Sequence, residues 1–159
     1  MKKVKRFLKI LSGLVLIVFV IVYSLFYYYT QPKSDNDIHS KFSDQRIKPT
    51  ITYKIFKNLT FRELSIISDE SLPTIVFVHG TIGSSIDFLA YMKDSSLSKK
   101  ANFLSYDRVG YNYNDKNNVQ ESIAFERDLL QSITKDLAKN KSILVGYSYG
   151  GPIVLADFN

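Results

Sequence analysis

Twenty residues, Ile10 to Tyr29, pass without a formal charge. Apolar side chains fall all round the helix they would form, not along one stripe. At a helical rise this length spans about 30 Å, the thickness of a bilayer's hydrocarbon core. The pattern predicts a transmembrane helix over 10–29. Tyr23, Tyr27, Tyr28 and Tyr29 gather toward its far end, where aromatic rings favour the membrane interface. A cleaved signal peptide is the rival reading. It calls for a shorter apolar core and a small-residue cleavage site, and this run ends in Tyr-Tyr-Tyr-Thr-Gln-Pro instead. The uncleaved anchor is the reading taken.

Residues 30–50 are polar and mixed in charge, with Pro32 and Pro49, and read as a stalk. His39 falls there and reads as solvated. From Ile51 the texture changes to short β-like runs. Ile51–Phe56 and Phe61–Ile67 flank Lys57-Asn58-Leu59-Thr60 and predict a hairpin. Thr74–Val78 predicts a strand ending at His79-Gly80, and Ala101–Tyr106 another ending at Asp107-Arg108. Ser142–Val145 predicts a third, running into Gly146. Between them, 85–93 predicts a helix with Ile86, Leu89 and Ala90 on one side. Residues 121–139 predict a longer one striped by Ile123, Leu130, Ile133 and Leu137. A last helix begins at Gly151, with Pro152 in a first turn that tolerates it.

Strands and helices alternating over short connections predict a parallel sheet covered by helices. The continuous apolar run Ile75-Val76-Phe77-Val78 fits burial on both faces. In such sheets the ligand lies at the carboxyl ends of the strands. His79-Gly80, Asp107-Arg108 and Ser148 all fall at such ends.

Charge narrows the partners. The net charge is +6, but Lys2, Lys3, Lys5, Arg6 and Lys9 supply five of those charges. The nearly neutral remainder argues against a nucleic-acid surface. The basic flank at 1–9 predicts a cytoplasmic amino terminus, with the rest of the chain on the extracytoplasmic side of the cell membrane. There is no cysteine, which excludes disulfides and thiolate chemistry. No metal cluster, P-loop or dinucleotide fingerprint occurs, so no cofactor is expected.

Gly146-Tyr147-Ser148-Tyr149-Gly150 follows an apolar strand. A G-x-S-x-G sequence there suits a strand, a sharp turn and a helix that push one hydroxyl into the open, with glycines where side chains would collide. Together with His79-Gly80-Thr81-Ile82-Gly83-Ser84-Ser85 and Asp107-Arg108-Val109-Gly110-Tyr111-Asn112, this motif makes the chain resemble the α/β-hydrolase superfamily over Pro73–Asn159. The expected fold is the amino-terminal portion of a doubly wound, mostly parallel α/β-hydrolase sheet, occupying 51–159 behind the transmembrane helix.

The resemblance implies Ser148 as nucleophile, and an oxyanion hole from the backbone N–H groups of Thr81 and Tyr149. It implies structural roles for His79, Gly80, Asp107, Arg108, Gly146, Gly150 and Gly151. Gly150 and Gly151 suit a helix start close to the substrate. Ile82 stands where relatives often carry proline, and Asn112 where glycine is frequent. A serine at the elbow argues against the branches whose nucleophile is a carboxylate.

The order Ser, then acid, then His marks the triad of this fold. After Ser148 the sequence offers only Asp157 and no histidine. The strand 142–145 would then form an apolar edge that invites a partner. Two readings follow. One is a membrane-anchored serine hydrolase acting on an ester, thioester or amide, present as a truncated chain or completed by a separately encoded carboxyl-terminal half. The other is a catalytically inactive membrane-tethered remnant or binding module.

Overall fold

The computed structural model describes residues 2–158, apart from 46, 112–117, 121, 136 and 138–140. The chain divides into two units, residues 1–31 and 32–159. The first is a single helix, α1 (Lys2–Thr30), long and apolar enough to cross a membrane. None of its side chains is buried.

The second unit is built on a mixed sheet of five strands: β1 (Thr50–Phe56), β2 (Leu59–Ile66), β3 (Thr74–Val78), β4 (Asn102–Tyr106) and β5 (Ser142–Gly146). Their order across the sheet is β1-β2-β4-β3-β5. The pairs β1/β2 and β2/β4 are antiparallel, while β4, β3 and β5 run parallel. The hairpin is tighter than its sequence suggests. Lys57 and Asn58 alone turn the chain, with φ of 47° and 64°, as a type I′ turn requires. Phe56 therefore faces Leu59 directly.

Alternation along the strands divides the interior between the two faces. Val76, Val78, Leu104 and Tyr106 join Leu129, Leu130 and Ile133 of α4 (Ile123–Thr134) and Ile153 and Val154 of α5 (Gly150–Asp157). On the other face, Phe77 and Phe103 join Leu64, Phe88, Met92, Ile38 and Phe42.

Ile38 and Phe42 correct the stalk expected over 30–50. Asp35–Lys41 forms α2, capped by Ser34. The Ser34 Oγ accepts the Asp37 N–H, and the Asp37 carboxylate accepts the Ser34 N–H. Ile38 and Phe42 lie four residues apart and so share a helix face. Both are fully buried, and this apolar pair is what holds a polar-looking segment on the sheet. His39 is exposed, as expected.

The helix expected over 85–93 is a 3₁₀ turn, Ser85–Phe88, followed by α3 (Leu89–Met92). The tighter first turn shifts the phase. Phe88 and Met92 are buried, and Ala90, expected on the inner side, is exposed. The helix expected over 121–139 is shorter and spans Ile123–Thr134; Leu137, expected on its stripe, lies beyond its end, and residues 121, 136 and 138–140 lie outside the described residues.

Candidate active site

Strand register builds the site. Val78 pairs with both Tyr106 and Gly146, so the three parallel strands end level. The residues that follow, His79-Gly80, Asp107-Arg108 and Tyr147-Ser148, leave the sheet at one edge. The Tyr147 N–H donates to the Val78 carbonyl at 3.0 Å, extending the pairing by one residue before the chain turns.

Ser148 then adopts φ 52°. Few non-glycine residues occupy this left-handed region, and they do so where the surroundings force it. The forcing contacts are local. The Gly150 N–H donates to the Tyr147 carbonyl at 2.8 Å and the Gly151 N–H to the Ser148 carbonyl at 3.0 Å. A Cβ at Gly150 would run into the Val78 carbonyl oxygen, and one at Gly146 into the Gly150 carbonyl. Both glycines are therefore required by space. Gly151 is different, because a Cβ there meets nothing within 4 Å.

Ser148 is exposed, with the backbone of Gly80 beside its side chain. A Cβ on Gly80 would sit 2.8 Å from the Ser148 Cβ and 3.2 Å from its Oγ. Two positions on, Ile82 has φ 60° and an exposed side chain. A β-branched residue in that region is strained. Asn112, the other departure, lies outside the described residues.

His79 is fully buried, with both ring nitrogens engaged. Nδ1 lies 2.7 Å from the Gly80 carbonyl oxygen, and Nε2 accepts the Arg108 N–H at 2.9 Å. That pairing fixes the tautomer with its proton on Nδ1. Burial and the nearby Arg108 charge lower its pKa to about 3. His79 is thus neutral and held at both ring nitrogens.

Asp107 braces the same loop from the next strand. Its Oδ1 accepts the Ser85 N–H at 2.7 Å and its Oδ2 accepts Arg62 Nε at 2.7 Å. The Arg108 guanidinium stacks over the rings of Tyr149, at 4.6 Å, and Tyr111, at 5.0 Å. Its Nε is 3.1 Å from Glu126 Oε1, in a pair buried at both ends.

Arg62 and Glu126 did not emerge from the motifs, yet each carried a signal. Arg62 alternates with Leu64 and Ile66, so it places a charge on the inner face of a strand. Glu126 stands between Ile123 and Leu130 on the apolar stripe of α4, and it is the one charge there. Burial pushes its carboxyl up to about 7, against the pull of Arg108. Among the described residues, no group of acids and histidines could hold a metal ion.

A sheet of this order, with a helix entered through a left-handed serine at the end of its edge strand, defines a class. The chain belongs to the α/β hydrolase fold family, whose model matches residues 73–156. No curated protein matches it in sequence. Among solved structures it is similar to a CIB-like hydrolase from Thermoplasma acidophilum, with 15% identity and a TM-score of 0.57, covering 70% of this chain and 56% of that one. It is also similar to a membrane phospholipase A described as a bacterial virulence factor, with 17% identity, TM-score 0.62 and coverage of 94% and 46%. A third is naproxen esterase, a carboxylesterase of Bacillus subtilis, with 22% identity, TM-score 0.56 and coverage of 79% and 46%. The chain spans about half the length of these structures.

Proposed function

We propose that the chain is the amino-terminal part of a membrane-anchored serine hydrolase that cleaves an ester, thioester or amide through Ser148. The observation that carries this is the backbone of Ser148. An exposed serine in the left-handed region, between two glycines that space demands, is a costly local structure with no packing return.

In this reading the Ser148 Oγ attacks the substrate's carbonyl carbon, and the alcohol, thiol or amine leaves with the proton that the serine gave up. The resulting acyl-serine is then hydrolysed by water. Negative charge grows on the carbonyl oxygen during each attack, and the backbone N–H groups of Tyr149 and Thr81 receive it. Each aimed donor contributes about 3 kcal/mol to the transition state. Tyr149 opens α5 at the amino end, where the helix dipole also favours an anion. Thr81 follows Gly80, whose backbone touches Ser148.

The proton acceptor is the remaining requirement. The chain has two histidines. His79 is committed to the loop on both nitrogens, and His39 is exposed on α2. In this reading the base and its acid are supplied by a segment outside these 159 residues, continuous with them or made separately. Support lies in the length of the solved relatives and in β5, a sheet edge whose Ile143 and Val145 remain 49% and 38% exposed. Support for anchoring lies in α1. The likeness to the membrane phospholipase also covers more of this chain than residues 32–159 alone could supply. The basic flank before residue 10 orients the hydrolase unit to the extracytoplasmic side.

The test is covalent labelling of the full chain, in membranes, by a fluorophosphonate. The expected result is one adduct on Ser148, absent in Ser148→Ala. If labelling is absent from the chain alone and appears when the carboxyl-terminal half is added, the docking form holds. If none appears in either case, the chain is a non-catalytic remnant.

A further inference from the structure

The loop beside Ser148 is clipped at both ends from the carboxyl end of β4. At its start, the Arg108 N–H holds His79, which lies 2.7 Å from the Gly80 carbonyl. At its finish, Asp107 Oδ1 holds the Ser85 N–H at 2.7 Å. Asp107 is fully buried, and a buried carboxylate needs a counter-charge to stay in place. Arg62 supplies it twice, through Nε and Nη2, each 2.7 Å from Oδ2.

The third arm of Arg62 points elsewhere. Its Nη1 donates to the Lys33 carbonyl at 2.7 Å and to Asp35 Oδ1 at 2.9 Å. Asp35 also accepts the Tyr53 hydroxyl at 2.9 Å. Lys33 and Asp35 stand at the start of α2, in the stretch that follows the apolar helix in sequence. Arg62 is 1% exposed, so the guanidinium has no water to replace a lost partner. Its rigid fork presents donors in fixed directions, which lysine does not. One side chain thus joins the juxtamembrane turn to the carboxylate that shapes the Gly80–Ser85 loop.

We propose that Arg62 is a positioning residue for the loop carrying Gly80 and Thr81, acting through Asp107, and that its hold depends on the juxtamembrane carboxylate of Asp35. The catalytic consequence rests on the reading of Ser148 as nucleophile; the mechanical link does not. Undocking the turn at Lys33–Asp35 frees one arm of Arg62, weakens its grip on Asp107 and lets the Thr81 amide drift from the position an oxyanion would occupy. The state of the segment joining membrane helix to enzyme is thereby transmitted to the site.

Two readouts on the full chain in membranes test the link and the reading separately. The first is amide hydrogen exchange over residues 79–88, and the second is the fluorophosphonate labelling rate of Ser148. Asp35→Ala removes only the solvent-facing end of the network, where the side chain is 37% exposed, and should leave the fold intact. It is expected to speed exchange over 79–88 by about tenfold, the scale of one charge-assisted hydrogen bond. Labelling should slow at saturating probe, with the half-saturating concentration little changed. Asp35→Glu should restore both. Asp37→Ala, which removes half of the α2 capping box without touching Arg62, should leave 79–88 as in the wild type. Unchanged exchange in Asp35→Ala overturns the link, as does an equal rise in Asp37→Ala, which would reduce it to fraying of α2. Faster exchange in Asp35→Ala, with no labelling of the wild type either alone or with the carboxyl-terminal half added, would keep the link and overturn the nucleophile reading instead.

Discussion

Strands β4 and β5 are comparably apolar and have opposite fates. Asn102–Tyr106 is buried at every residue, with β2 on one side and β3 on the other. Ser142–Gly146 is just as apolar, yet it is the sheet edge, and alternate residues are exposed. Apolar content therefore states what a strand can bury, while its place in the sheet decides what it does bury. The site sits where the two conditions meet. Ser148 is carried by the edge strand, while the loop facing it is braced by the ends of the central ones.

The largest effect expected from this contrast is at the central brace. Asp107→Asn removes the buried counter-charge of Arg62, leaving only the partly exposed Asp35 carboxylate, and should cost about 3–5 kcal/mol in unfolding free energy. A loss within 1 kcal/mol in denaturant titration would mean the network does not hold the fold. Leu104→Ala on β4 should cost about 2–5 kcal/mol. By contrast, Ile143→Ser on β5 should change the chain's stability by no more than about 0.5 kcal/mol. That variant should also reduce self-association, because it blunts an apolar edge. Equal losses at 104 and 143 would show that β5 is covered.

A smaller, pH-dependent effect separates the buried charges. Glu126 holds its proton to about 7 in the fold, against a reference value of 4.5. The fold therefore binds a proton that the unfolded chain has released. The Glu126 contribution is fully present below pH 4.5 and is lost as pH rises toward 7, amounting to about 3 kcal/mol. Glu126→Gln should remove that fall. His79 acts in the other direction. With a pKa of about 3 against 6.5, it resists protonation in the fold, so stability is lost as pH falls below 6.5. The difference between wild type and Glu126→Gln, followed by melting from pH 4.5 to 8, isolates the first effect. A difference that does not vary with pH would contradict it.

These residues also mark how far the sequence could be read. The sharp turn at Ser148 was legible because glycine spacing records backbone geometry directly. His79 and Asp107 stood out in the sequence only through their motifs. Their partners did not, because Arg62 lies 45 residues from Asp107 and was seen only as one charge inside a strand. The α2 segment was misread for a related reason. Ile38 and Phe42 are too few to register against so many polar neighbours, although two residues on one helix face suffice to dock a turn. In the helix after His79, a 3₁₀ first turn moved Ala90 outward, a phase shift that a 3.6-residue period does not anticipate.

The hydroxyl of Ser148 and the two amides assigned to serve it are the centre of the proposed site. Its most direct test is a crystal structure of the full chain after reaction with a fluorophosphonate. The account predicts phosphorus bonded to the Ser148 Oγ, with the phosphoryl oxygen within about 3 Å of the backbone nitrogens of both Thr81 and Tyr149. An adduct on another residue, or a phosphoryl oxygen turned away from both amides, would contradict it.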